Sequence, residues 1–160
     1  MINIAVTAEA GDETRVAVSP ETVKKFSGLG CKVIVQSGAG ERSRFSDQML
    51  KDAGAEIVES ASDAAGKADV LLTVRRPSME TVKALKPGAV VVAMMDPFGE
   101  RAALDELAGT GTTTFTMEFM PRITRAQSMD VLSSQANLAG YKAVVDAASM
   151  FEQAMPMMMT

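Results

Sequence analysis

Short apolar runs alternate along the chain with longer stretches in which apolar residues recur at helical spacing. Six of the short runs are predicted strands, and several of them are nearly continuous and rich in Val, Ile and Leu, which is typical of strands buried on both faces of a parallel sheet. These six predicted strands are Ile2–Val6, Lys32–Gln36, Glu56–Val58, Val70–Val74, Ala89–Ala93 and Thr113–Met117.

Predicted helices separate the strands. The first has the clearest start, because Ser19 can cap it, Pro20 suits its first position and Glu21 faces the positive end of the helix dipole. The others are Ser46–Ala53, Ser60–Gly66, Ser78–Leu85 and Gly99–Ala108. This alternation predicts a doubly wound α/β fold with a mostly parallel sheet, a three-layer arrangement of the flavodoxin-like or Rossmann-like kind.

The pattern changes after Met117. Residues 118–130 have no clean period, and a long C-terminal helix is then predicted from Ser133 or Ser134 to Gln153, with Ser134 as its N-cap. A helix of that length spans about 30 Å. We therefore divide the chain into an α/β domain, residues 1–132, and a segment, residues 133–160, that contains a connecting helix and a Met-rich end.

Composition excludes several kinds of chemistry. The 160 residues include no His and one Cys, so Ser-His-Asp, Cys-His and His-ligated metal sites are ruled out within the chain, and we expect no metal. A net charge of −4 and 4% aromatic residues argue against nucleic-acid binding. The longest apolar run, Ala89–Met95, is far shorter than the roughly 20 residues that span a bilayer. We predict a cytoplasmic protein without direct membrane insertion.

Two arginines follow predicted strands. Arg15 comes after the first strand and Arg75 after the fourth. Ligands of open α/β sheets bind beyond the carboxyl ends of strands, so this pair could clamp a carboxylate or phosphate. Solvated surface arginines are the alternative, which the sequence does not exclude.

Glycines after the second strand form a partial dinucleotide motif. Gly38 and Gly40 match its first two positions, but the third Gly of G-x-G-x-x-G is replaced by Ser43. We therefore interpret Gly38–Gly40 as a tight structural turn.

Polar side chains are densest in the segment 121–133. It contains Arg122, Arg125, Gln127, Ser128, Asp130 and Ser133 directly after the last strand. Such density in a loop at a sheet edge favours binding of a polar ligand. The alternative is a helix start with a capping box formed by Thr124 and Gln127.

These residues also carry a family resemblance. The run 119–143, the end Met155–Thr160, and the shorter segments Arg15–Pro20 and Val74–Pro77 resemble the NAD(H)-binding component of proton-translocating NAD(P) transhydrogenase. The resemblance covers the whole chain. It implies the first of two α/β domains, with a Rossmann NAD-binding domain that carries the G-x-G-x-x-G loop following the equivalent of Thr160.

The resemblance implies a function and a site. In the family, hydride passes directly between NADH and NADP⁺, and a separate component holds the NADP(H). Arg122, Asp130 and Ser133 match residues at the nicotinamide end of NAD(H), and Gln127 matches a glutamine that reaches towards NADP(H). Thr124 and Arg125 lie in the same loop. Gln127 and Asp130 are the expected catalytic residues, and the isolated chain is expected to bind NADH weakly without turnover.

Partners and location follow from the same resemblance. We expect NADP(H)-binding and membrane components as partners, a homodimer of the full-length subunit, and a position peripheral to the inner (cytoplasmic) membrane. Alanine dehydrogenase is a related alternative: Arg15 matches its substrate arginine and Arg75 stands where it has a lysine, but Met94–Asp96 lacks its catalytic His. A non-enzymatic interaction module is the third hypothesis.

Overall fold

The computed structural model describes residues 1–153. Its strands are β1 Asn3–Val6, β2 Lys32–Gln36, β3 Glu56–Val58, β4 Val70–Arg75, β5 Val90–Met94 and β6 Thr113–Thr116. Its helices are α1 Pro20–Gly28, α2 Asp47–Asp52, α3 Ala61–Lys67, α4 Met79–Lys83, α5 Arg101–Ala108 and α6 Val131–Met150. Short 3-10 helices span Glu41–Ser43, Met117–Phe119 and Thr124–Met129.

The six strands form one parallel sheet in the order β3-β2-β1-β4-β5-β6. The doubly wound α/β prediction is therefore confirmed, and the sheet is parallel throughout. Strand order reverses at β1, because β2 lies on one side of it and β4 on the other. The carboxyl ends of β1 and β4 thus meet at the topological switch point, where ligands of such folds usually bind.

Serine caps position the helices against the sheet. The side chain of Ser19 accepts the backbone N–H of Thr22, and Ser46, Ser60 and Ser78 do the same at α2, α3 and α4. Each cap satisfies one backbone donor that the first helical turn leaves unpaired. The four predicted helices that begin at a serine are confirmed within a few residues.

The core has two halves, one on each sheet face. On one face Val6, Val33 and Val35 pack with Val23 of α1 and Leu50 of α2. The other face buries apolar side chains of the sheet and of three helices, including Ile34, Leu71, Val91, Ala64 of α3, Val82 of α4 and Leu107 of α5. Burial on both faces explains why central strands such as β1 and β2 are continuous apolar runs, whereas the edge strand β6 is mostly exposed.

The contacts divide the chain into two compact units, Met1–Phe119 and Met120–Thr160. Unit 1 contains the sheet and α1 to α5, and unit 2 contains the Thr124–Met129 turn and α6. The predicted long helix is present, but Ser134 is not its cap: α6 begins at Val131 and Asp130 caps it. The Met-rich end, Met155–Thr160, lies outside the described residues.

Candidate functional site

Acidic side chains bind backbone N–H groups at the carboxyl ends of two neighbouring strands in unit 1. The Glu9 carboxylate accepts the backbone N–H groups of Val74, at 2.6 Å, and Arg75, at 3.0 Å, where β4 ends. The Glu118 carboxylate accepts those of Met95, at 3.1 Å, and Asp96, at 2.8 Å, after β5. Backbone donors that would otherwise face a ligand are therefore bound to the chain's own carboxylates.

Glu13 connects the two arginines predicted as an anion site. Its Oε2 accepts from Arg15 at 2.7 Å and from Arg75 at 2.9 Å, and its side chain is only 3% exposed. Arg75 also donates to Asp12 at 3.2 Å. The hydrogen bond from Arg15 is the largest of several effects that lower the pKa of Glu13 to about 2. The structure thus brings Arg15 and Arg75 together around a carboxylate of this chain, and their binding of an external anion stays a prediction.

A cavity of about 500 Å³ lies beside this cluster in unit 1. Its lining consists of Arg15, Arg75, Arg76, Met94, Met95, Asp96 and Glu118. The Arg76 guanidinium is bound to Glu100 at 2.6 Å. Asp96 adopts a left-handed backbone (φ 49°), and its exposed carboxylate lies against Gly99, where a Cβ would force the Asp96 side chain to move. The cavity can hold a small polar molecule, but no imidazole lines it to move a proton.

The loop after β2 holds the loop that carries Glu13 and Arg15. Arg42 donates to the carbonyls of Gly11, at 2.8 Å, and Asp12, at 3.2 Å, and Ser43 Oγ donates to the Thr14 carbonyl at 2.8 Å. Gly40 in the same loop has no room for a side chain, because a Cβ would lie 2.5 Å from the Phe45 carbonyl oxygen. These contacts support the interpretation of Gly38–Gly40 as a structural turn.

In unit 2 the polar segment folds as a 3-10 turn, Thr124–Met129. No side-chain hydrogen bond caps its start at Ile123, so the alternative of a capping box between Thr124 and Gln127 is wrong. Ala126 is buried, whereas Arg122, Thr124, Arg125 and Gln127 are exposed. The turn therefore presents its polar side chains to solvent and buries only its alanine.

Asp130 and Ser133 form the other part of the segment. Asp130 Oδ1 accepts the Ser133 backbone N–H at 3.0 Å, and Oδ2 accepts the Ser133 hydroxyl at 2.6 Å. These two bonds from Ser133, with a smaller effect of the positive charge of Arg122, hold the pKa of Asp130 below its ordinary value. Asp130 is therefore an ionised helix cap that fixes the position of the Ser133 side chain.

Three acidic residues of the site, Glu9, Glu13 and Glu118, were not predicted from the sequence. Their position was the available signal, since Glu9 and Glu13 lie in the segment after β1 and Glu118 lies two residues after β6. Their contacts were not predictable, because the partners of Glu9 and Glu13 across the sheet lie more than 60 residues away. Among the described residues, no cluster of carboxylates and Cys could hold a metal ion. No helix within residues 1–153 has the length and apolar character needed to cross a bilayer.

Comparisons with known proteins place these features in a family. The family model of the alanine dehydrogenase/PNT N-terminal domain matches residues 5–139. An NAD(P) transhydrogenase subunit alpha protein of Rhodospirillum rubrum is 48% identical over 153 residues, which cover 92% of this chain and 40% of that protein. The alanine dehydrogenase of Mycolicibacterium smegmatis is 32% identical over 129 residues, which cover 81% of this chain and 34% of that enzyme.

A solved structure agrees with the sequence relatives. The crystal structure of transhydrogenase from Sinorhizobium meliloti superposes with a TM-score of 0.90 at 55% identity, covering 99% of this chain and 47% of that one. The chain thus spans less than half the length of these relatives.

Proposed function

The chain belongs to the alanine dehydrogenase/PNT N-terminal domain family, and we propose that it is part of the NAD(H)-binding component of a proton-translocating, Re/Si-specific NAD(P) transhydrogenase. In this function it forms one wall of the site where hydride passes directly from NADH to NADP⁺. The higher identity to transhydrogenases than to alanine dehydrogenases supports this choice.

The pairing of Asp130 with Ser133 carries the proposal. A nicotinamide carboxamide has an NH₂ group that donates and an oxygen that accepts hydrogen bonds. Because the Ser133 hydroxyl donates its hydrogen bond to Asp130, Ser133 Oγ and the Asp130 carboxylate offer acceptors to the NH₂ group. Arg122, whose charge acts on Asp130, offers donors to the oxygen. This donor and acceptor set fits the nicotinamide end of NAD(H).

Direct hydride transfer is also consistent with the absence of His from the sequence. NAD(H), when bound, supplies the hydride from C4 of its nicotinamide ring. The protein then has only to hold two rings in a reactive arrangement, because no proton moves through a side chain. A site of Arg, Asp, Ser and Gln meets that requirement without His. Gln127, exposed on the 3-10 turn, is available to a second nucleotide, and Thr124 and Arg125 border it.

The partners in this function are an NADP(H)-binding component and a membrane component. The chain would be peripheral to the inner membrane through them, and the full-length subunit would be a homodimer. Relatives whose names assign them to an alpha subunit support an assembly of several components.

One observation favours a second candidate, an alanine dehydrogenase-like enzyme that binds a 2-oxo acid. The cavity beside Arg15 and Arg75 has the size for such a substrate. However, Glu13 already binds both guanidinium groups, and the segment Met94–Asp96 contains no His to transfer a proton. Steady-state assay of a full-length protein with alanine and NAD⁺ separates the two functions, since robust turnover contradicts the transhydrogenase proposal.

Calorimetric titration of the 160-residue chain with NADH tests whether this chain supplies only a small part of the NADH affinity of the full protein. We expect binding weaker than micromolar and no turnover, because the polar residues described hold only the nicotinamide end. Micromolar binding to this chain alone would contradict the assignment of the remaining affinity to a further domain.

A further inference from the structure

Glu9 lies at the topological switch point of the sheet. It follows the end of β1 by three residues, and its side chain reaches across to the end of β4. Its two carboxylate oxygens are used separately: Oε1 accepts the Val74 N–H at 2.6 Å and Oε2 accepts the Arg75 N–H at 3.0 Å. Ligands of doubly wound folds bind outside the strand ends at this point.

Consecutive backbone N–H groups aimed at one place form a common binding arrangement for small anions. Here the anion is part of the chain. We propose that the Glu9 carboxylate acts as an intramolecular anion. It occupies the place between β1 and β4 where the Val74 and Arg75 N–H groups would otherwise bind an anionic oxygen of a ligand, and it keeps phosphate-bearing ligands out of this crevice. This role is independent of the proposed function, since it concerns what unit 1 excludes whichever reaction the full protein performs.

The charges around Glu9 explain why a side-chain carboxylate, rather than a free anion, fills this place. Arg15, whose charge acts on Glu9, and Arg75, whose backbone N–H Glu9 accepts, are both bound to Glu13, and Arg75 also to Asp12. Burial raises the pKa of Glu9, and the two N–H groups and Arg15 only partly counter this effect. The crevice therefore supplies directed hydrogen bonds with little net positive charge. A free anion in place of the Glu9 side chain should bind in the millimolar range.

This arrangement also has a consequence for dinucleotides. With Glu9 in place, the backbone donors at the end of β4 are not available to a pyrophosphate, and Glu118 occupies the equivalent donors after β5. Unit 1 thus has the topology of a nucleotide-binding fold but offers no phosphate cradle at these two strand ends.

Anion rescue of a Glu9→Ala variant tests the proposal. Melting temperatures of the wild-type chain, Glu9→Ala and the charge-matched control Glu59→Ala are compared in sodium formate, sodium phosphate and sodium chloride at equal ionic strength. Glu59 is an exposed acidic residue near the end of β3. At formate concentrations about ten times the dissociation constant, Glu9→Ala should gain roughly 3–6 °C over its value in chloride. Equal shifts in all three proteins would overturn the proposal.

Amide NMR locates the effect and remains informative if Glu9→Ala does not fold. Formate titration of the variant should move the Val74 and Arg75 amide resonances in a saturable way. In the wild-type chain, phosphate at the same concentrations should leave these two resonances where chloride leaves them. Saturable movement in wild type would show that Glu9 does not exclude anions.

Discussion

Asp130 binds Ser133 at two points, through the backbone N–H at 3.0 Å and through the hydroxyl at 2.6 Å. One carboxylate therefore starts α6 and orients the side chain three residues later. Because the hydroxyl proton is committed to Asp130, Ser133 Oγ presents acceptors rather than a donor to a ligand. This relationship makes a helix cap part of the candidate nicotinamide site.

Ser133→Ala separates the two roles of Asp130. The variant keeps the N–H bond that caps α6 and loses the 2.6 Å bond and the Ser133 oxygen. In a full-length protein we expect NADH affinity to fall roughly tenfold while the melting temperature changes little. Asp130→Ala should lower both. Unchanged NADH binding in Ser133→Ala, measured by calorimetry, would remove Ser133 from the site.

Gln127 should act on the reaction rather than on NADH binding. In the complete protein with its NADP(H)-binding component, Gln127→Ala should slow single-turnover hydride transfer with little loss of NADH affinity, because its proposed position faces the second nucleotide. Ser128→Ala, an exposed neighbour on the same turn, is the matched control and should leave the rate unchanged. A collapse of NADH affinity with an unaltered rate constant would show that the assigned role is wrong.

Glu13 should make the free energy of unfolding of unit 1 decrease as the pH falls into the acidic range. Its pKa is lowered from 4.5 to about 2, so the folded state favours the ionised form. The stabilisation of the folded state by the ionised Glu13 carboxylate is fully present above pH 5 and is lost as the pH falls from about 4.5 to about 2. It amounts to at most about 3 kcal/mol. Glu9 acts in the opposite direction, because its raised pKa favours the protonated form as the pH falls.

Glu13→Gln isolates this effect. Urea unfolding between pH 7 and pH 2 should show a wild-type advantage that is constant above pH 5 and shrinks towards pH 2. A free-energy difference that stays the same at every pH would mean that the Glu13 charge does not contribute.

Two glycine substitutions should have opposite effects on stability. Gly40→Ala forces a Cβ to within 2.5 Å of the Phe45 carbonyl oxygen and should cost about 1–3 kcal/mol. Gly140→Ala, inside α6, meets nothing within 4 Å and should stabilise by about 0.5–1 kcal/mol. Chemical denaturation of both variants measures the difference. A Gly40→Ala variant as stable as wild type would mean that the loop after β2 can shift.

The sequence predicted the sheet well because its central strands are buried apolar runs and turn residues flank the strands. Lys32–Gln36 and Glu56–Val58 have the predicted bounds, and the other four differ by one residue at one or both ends. Apolar runs between turn residues are local signals, as are the serines that cap helices. The start of α6 was misplaced because Asp130 and Ser134 are both good caps in sequence, and only the folded backbone selects Asp130.

The site was predicted less completely. Arg15 and Arg75 come together as the strand order implies, yet the carboxylate between them was not foreseen. Glu9 and Glu13 contact residues that are distant in sequence, and such pairings depend on register and on loop conformation rather than on local pattern. The roles of Arg122, Thr124, Arg125, Gln127, Asp130 and Ser133 in binding and catalysis stay predictions.

Isotope transfer tests the central claim most directly. A full-length protein containing this chain, combined with its NADP(H)-binding component, is mixed with NADP⁺ and NADH deuterated at the transferred position of C4, and the NADPH formed is analysed by mass spectrometry. Direct transfer between the two nicotinamides predicts that the deuterium is retained in NADPH. Deuterium found in water, or no NADPH formed while alanine is oxidised with NAD⁺, would contradict the account.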